Sequence, residues 1–179
     1  MIKVGLFGIG LDTYWPQFDG LLQRLEGYQQ QIAAKMEGFG AEVINVGLVD
    51  SPVVAREKAQ VLKNKDVDIL FLYVSTYALS STILPVVQKV RCPVIILNIQ
   101  PVAAIDYESF NKLNDRGKMT GEWLAHCQAC SVPEFANVFN RAGIDYEFVT
   151  GYLDEPAVWT DIQDWIDAAS VAATMRNNR

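Results

Sequence analysis

The sequence predicts an α/β fold built around a parallel sheet, and three observations carry that reading. Five short runs rich in Val, Ile, Leu and Phe recur along the chain, amphipathic stretches of helical length separate them, and two of the runs are apolar on both faces. Strand-like runs alternating with helical segments read as successive βαβ units. Strands apolar on both sides belong in the middle of a sheet whose two faces are covered by helices.

The runs are residues 2–7, 42–46, 69–74, 94–97 and 146–149, and the third and fourth are the doubly apolar pair. Between the first two, Leu21, Leu22, Leu25, Tyr28, Ile32 and Met36 fall near helical spacing, and Gly38-Phe39-Gly40 punctuates the end of a helix over 18–39. Ser51 followed by Pro52 supplies an N-cap and a first-turn proline for a second helix to about residue 62, with Asp50 beside its positive end. A third helix over Ser80–Val90 returns the chain to the fourth strand. Ser131-Val-Pro-Glu134 has the pattern of a capping box, opening a helix that closes at Gly143. Asp154-Glu-Pro156 starts a last helix through about Met175, followed by a polar tail.

Right-handed crossovers in a short open sheet then give the strand order 2-1-3-4-5, a flavodoxin-like (Rossmann-like) three-layer sandwich. Ligands of such sheets bind beyond the carboxyl ends of the strands. The loops there are 8–17, 47–51, 75–80, 98–107 and 150–154. The first and fourth exceed the usual ~2–6 residues of such connections, which points to function.

Bulk properties narrow the partners. A chain of 179 residues, 50% hydrophobic and 20% charged, fits one globular domain. A net charge of -6 and no clustered Lys/Arg face argue against nucleic acid or an anionic membrane surface as partners. No segment approaches the ~20 apolar residues of a membrane span, and the first apolar run is too short for a signal peptide, so a cytoplasmic location is expected. Cys92, Cys127 and Cys130 form an odd set with no disulfide framework, and free thiols in a reducing compartment are the expectation.

Several segments carry chemistry-bearing residues. Gly8-Ile-Gly10 begins like a dinucleotide-binding turn but lacks the third glycine and an immediate helix, so a nucleotide cofactor is weakly supported beside plain turn glycines. Asp12-Thr-Tyr-Trp-Pro-Gln17 joins hydrogen-bonding groups to aromatic faces, a combination that suits a polyol. Tyr14 and Trp15 would equally serve as packing at the sheet edge. Asn98-Ile-Gln-Pro101, after the fourth run, places amides where they read a ligand or satisfy loop backbone. His126-Cys-Gln-Ala-Cys130 offers three local ligands where zinc needs four, and its CxxC pair lies late in the chain for a redox motif; structural, zinc and redox roles all stay open. Among carboxylates, Glu122, Glu134 and Asp115 are candidates by proximity, against surface or capping roles.

Together, the stretch from Gly5 through Pro16, the segment Leu97-Asn-Ile-Gln-Pro101 and the stretch from Gly121 through Gly143 resemble the N-terminal portion of L-arabinose isomerase-like proteins, related to L-fucose isomerases. The resemblance implies an aldose–ketose isomerase that uses a divalent metal, commonly Mn²⁺, to hold the sugar while a carboxylate moves a proton between C1 and C2. It also implies that metal ligands and acid/base carboxylates come from the protein's own later C-terminal domains, leaving 1–179 as a single N-terminal domain of a longer multidomain enzyme. In this reading the domain binds no metal and holds no catalytic residue; it contributes to the binding of a monosaccharide in a homo-oligomer, a trimer or hexamer. Ala125-His126 matches the family's Ala-His pair, which implies that His126 is a substrate contact, and Trp123 stands where better-known members carry glutamine. Gly8-Ile-Gly10-Leu-Asp12 replaces a Gly-Ser-Gln-His-like run, so the sugar is expected among pentoses or 6-deoxyhexoses. The candidate substrate contacts are His126, Trp123, Asp12, Tyr14 and Trp15. The rival expectation is a stand-alone sugar- or nucleotide-binding module without catalysis.

Overall fold

In the computed structural model, which describes residues 1–178, the chain runs β1 (Lys3–Ile9), α1 (Leu21–Gly38), β2 (Glu42–Val49), α2 (Pro52–Lys65), β3 (Ile69–Tyr73), α3 (Ser80–Val90), β4 (Val94–Gln100), α4 (Tyr107–Lys112), α5 (Arg116–Leu124), α6 (Val132–Ala142), β5 (Tyr146–Tyr152) and α7 (Pro156–Asn177). All strand pairs are parallel and the order is β2-β1-β3-β4-β5, as the alternation and the crossover rule predict.

Strand periodicity sorts the core into two layers. Val4, Leu6, Phe71, Tyr73, Ile95, Leu97 and Val149 face α1 and α7, meeting Ile32, Met36, Trp159 and Ile162. The alternate positions, Phe7, Ile9, Leu70, Leu72, Val94 and Ile96, face α2, α3 and α6 and meet Ala59, Leu62, Ile83, Val86, Phe135 and Phe139. All five residues of β3 are buried, which is why that segment is apolar without alternation. A third, smaller cluster sits at the carboxyl edge, where Leu21, Leu25 and Leu48 meet Leu124 and Ala125, with Tyr14, Trp15 and Phe18 packed against it.

Four strands run longer than the sequence reading, β1 to Ile9 and β5 to Tyr152 among them, and the start of α6 differs. The second strand continues past Val46, because β2 takes one extra residue against β1 between the pairs Leu6↔Asn45 and Gly8↔Leu48. Gly47 absorbs this bulge at φ +76°, a conformation that favours glycine, and its N–H donates to Asn45 Oδ1 at 3.0 Å. The fourth strand likewise runs on to Gln100, so Asn98 lies within the sheet rather than in a loop.

The capping box at Ser131 does not form. A 3-10 turn over Ala129–Ser131 feeds directly into α6, leaving Ser131 already helical (φ -95°, ψ -8°) and unable to adopt the extended backbone of an N-cap. Its hydroxyl is buried without a partner, and Glu134 instead accepts from the Ser80 N–H at the start of α3, 2.9 Å away. The last helix does begin at Pro156, and Ser51 does cap α2 by accepting from the Val54 N–H.

Phe71→Ala should lower unfolding free energy by about 3–5 kcal/mol in urea titrations, because it empties the fully buried central strand. Phe148→Ala, on the outer strand and 41% exposed, should cost under about 1 kcal/mol in the same assay.

Candidate functional site

The crevice at the reversal of strand order, between the ends of β1 and β3, is filled by the chain itself. Ser75 just beyond β3 accepts from the Ile9 N–H at 3.3 Å and its hydroxyl donates to the Ile9 carbonyl. Trp15 lies against Gly10 so closely that a Cβ there would stand 2.6 Å from the indole ring. The Thr76 hydroxyl donates to Leu124 O at 2.7 Å, and the buried Gln128 amide donates to Ser75 O and Ala125 O at 3.0 and 2.8 Å. These mutually bonded groups stand at the usual ligand position of a doubly wound fold.

Open space lies one step along the same edge, beneath α4 and α5. A pocket of about 390 Å³ is lined by Arg24 of α1, Val102, Ala104, Ile105 and Asp106 of the β4–α4 loop, Ser109 and Phe110 of α4, and Leu113, Glu122 and His126. A neighbouring groove of about 510 Å³ shares Arg24, Leu113 and Glu122 and adds Phe18, Asp19, Asp115 and Lys118. Both volumes fall within the range of small-molecule sites.

Arg24, Glu122 and His126 form the polar wall common to this region. Glu122 receives both Arg24 terminal nitrogens, at 2.5 and 3.1 Å, a bidentate pairing across 98 residues of sequence. Arg24 Nε donates to the Tyr28 hydroxyl at 2.8 Å, one turn further along α1. The hydrogen bonds from Arg24 hold the Glu122 carboxyl below its usual range against the opposing effect of burial, and the Arg24 charge adds a smaller downward push. His126 Nδ1 is 3.0 Å from the Glu122 backbone carbonyl and 3.5 Å from its carboxylate. A carbonyl only accepts, so Nδ1 carries the proton and Nε2 is left for a ligand. The side chain is 9% exposed, held in this orientation by one helical turn of α5.

Of the residues singled out from sequence, the structure brings His126 and Glu122 to the pocket and Asp115 to the neighbouring groove. Trp123, 48% exposed, lies on the outer surface of α5 and lines neither space. Asp12 is exposed on a 3-10 turn, where its N–H donates to Asp50 O at 3.3 Å. Tyr14 packs edge-on between Trp15 and Phe18, with its hydroxyl pKa raised by burial and then by Tyr77. The Trp15 indole N–H is spent on Asp50 at 2.8 Å. Asp115 caps α5 by accepting from the Lys118 N–H, and Asn98 keeps a buried amide oxygen without a partner.

Arg24 escaped the sequence reading. Its signal, a charged residue four positions before Tyr28, does not stand out on a helix that also carries Glu26, Lys35 and Glu37. The cysteine expectation is corrected: Cys127 and Cys130 are bonded to each other, two residues of helical turn bringing their Cα atoms to 5.5 Å. Cys92 stays free at the opposite edge, beside a larger groove of about 840 Å³ at the amino ends of β4 and β5, where burial pushes its thiol up to about 12. No group of three or more His, Cys, Asp or Glu side chains able to hold a metal ion exists among the described residues, and no described helix is long and apolar enough to cross a membrane.

Because the Glu122 pKa is depressed in the folded state, the contribution of this carboxylate is complete above the unfolded value of about 4.3 and is lost as pH falls through its lower folded value. Glu122→Gln should therefore flatten the acid limb of a stability–pH curve below about pH 4.5 while costing about 1 kcal/mol at pH 7, measured by thermal unfolding across pH.

No protein-family model matches this chain, and no curated protein matches it. Among solved structures the chain is similar to an ABC transporter substrate-binding protein from Sphaerobacter thermophilus, at 13% identity and a TM-score of 0.32, over 93% of this chain. It covers 52% of that protein's chain, about half its length.

Proposed function

We propose that this chain is the N-terminal substrate-binding and oligomerisation domain of a metal-dependent aldose–ketose isomerase of the L-arabinose/L-fucose type, acting on a pentose or 6-deoxyhexose in the cytoplasm. One observation carries the reading. The segments resembling that family, residues 5–16, 97–101 and 121–143, are far apart in sequence; the first two and the start of the third, through His126, meet at the carboxyl edge of the sheet, and the third then runs through α6 to the amino end of β5. A pocket with a fixed histidine opens at that edge.

In this reading His126 accepts a sugar hydroxyl through Nε2, its ring held by the Glu122 carbonyl. Arg24 and Glu122 supply further hydrogen-bonding groups at the pocket wall. The exposed face of Trp123, and the Asp12–Trp15 turn, are contacts offered toward a neighbouring subunit of a trimer or hexamer rather than toward this pocket. In this reading, as the family resemblance implies, the ligands of the divalent metal and the proton-moving carboxylate come from residues outside this domain.

The rival reading, a stand-alone sugar- or nucleotide-binding module, draws on a different observation: two adjoining spaces of small-molecule size share the Arg24–Glu122 wall. The deciding measurement incubates the protein carrying this domain with Mn²⁺ and a panel of aldopentoses and 6-deoxyhexoses, assaying ketose formation alongside calorimetric binding. The expected outcome is turnover of at least one aldose, with His126→Ala raising KM about fivefold for a lost hydrogen bond of about 1 kcal/mol. Binding without turnover transfers the assignment to the binding module, and neither binding nor turnover removes both.

A further inference from the structure

The segment between β4 and the 3-10 turn at Ala129–Ser131 is anchored almost wholly at its root. From Val102 through Trp123 no residue is buried, although this arm contains α4 and most of α5. Among the described residues, its side-chain hydrogen bonds to the rest of the domain beyond its own root are the two between Arg24 and Glu122. Burial resumes at Leu124 and Ala125 and continues through Cys127 and Gln128. There the Gln128 amide and the Thr76 hydroxyl tie the root to the end of β3. The bond between Cys127 and Cys130 closes around Gln128, directly after His126.

We propose that the Cys127–Cys130 bond is a thiol–disulfide exchange site that sets how firmly the arm, residues 102–123, is held over the His126 pocket, whatever ligand that pocket takes. A ring this short removes little freedom from the unfolded chain, so the bond does little as a global staple. Its constraint falls on the turn that presents Gln128 to Ser75 and His126 to the pocket. Access is one-sided: Cys127 is 1% exposed, whereas Cys130 lies on the surface, where an incoming thiolate reaches its sulfur. Cys92, at the far edge of the sheet and protonated, does not serve as an internal resolving thiol.

The reductant is a dithiol, small or protein-borne. Its thiolate attacks Cys130 Sγ and forms a mixed disulfide while the Cys127–Cys130 bond breaks, and Cys127 leaves with the electron pair and takes up a proton. The second thiol of the reductant then displaces Cys130 Sγ, which is protonated in turn. One protein disulfide is reduced, one dithiol becomes a disulfide, and two electrons and two protons have moved. With the ring open, the turn that carries Gln128 loses its covalent closure, and the arm is held by the hydrogen bonds at its root and by the Arg24–Glu122 pair.

Limited trypsinolysis reads the arm directly, because Lys112, Arg116 and Lys118 lie in it and are exposed. The protein is compared oxidised and after treatment with dithiothreitol, with free thiols counted by alkylation and mass spectrometry. The expected count is one thiol oxidised and three reduced, with reduction accelerating cleavage at those sites about fivefold or more and leaving cleavage elsewhere unchanged. Cys130→Ser should cleave at the fast rate with or without dithiothreitol. Three free thiols in the oxidised protein, or equal arm cleavage in both states, overturns the proposal. Should the variant not fold, hydrogen exchange of the arm in the two redox states of the wild-type chain gives the same decision.

Discussion

The burial of the central strands on both faces is the constraint from which the remaining architecture follows. β3 has no solvent-facing residue, and β1 and β4 have almost none, so helices must cover both sides of the sheet. Parallel strands meet that demand through crossover connections, and right-handed crossovers place α1 and α7 on one face and α2, α3 and α6 on the other. The same connectivity gathers every loop that follows a strand at one edge. The ends of β1, β3 and β4 are therefore neighbours although their sequence positions are tens of residues apart.

At that edge the chain has used the usual ligand crevice for its own packing. Ser75, Trp15 and Gln128 close the space between β1 and β3, and the open volume is displaced toward β4 beneath α4 and α5. The displacement explains why Tyr14 and Trp15, the most ligand-like residues of the first loop, are engaged with their neighbours. It also explains why a histidine at the end of α5 faces a pocket. Arg24 and Glu122 are each about one-third exposed, so their pairing is more an orienting contact than a source of stability. Its energetic weight is modest, but it is the strap that joins α1 to an arm with no core of its own.

The long helices were legible from their apolar period and the strands from short apolar runs between them, unbroken in β3 and most of β4. Helix α3 is found at the bounds read from sequence, and α1, α2 and α7 depart from theirs by a few residues at the ends. The arm was not legible. Its helices α4 and α5 are six and nine residues long with almost nothing buried, so no apolar period marks them. Their capping aspartates, Asp106 and Asp115, were the available signal. The Ser131 capping box misled for the opposite reason: a correct local pattern was overridden when the preceding turn entered the helix already wound, and its glutamate was taken by α3.

By itself the sequence determined the fold class, the strand order and the edge at which a ligand would be sought, since hydrophobic periodicity and crossover handedness are properties of the chain and its chirality. It also marked His126, through a resemblance carried by local residues. The tertiary structure decided which groups stand beside that histidine. Arg24 meets Glu122 across 98 positions, Cys127 closes on Cys130, and Trp15 turns from a free aromatic into a partner of Asp50. Such pairings depend on where helices land on the sheet, a matter of packing between distant segments that no local spacing encodes.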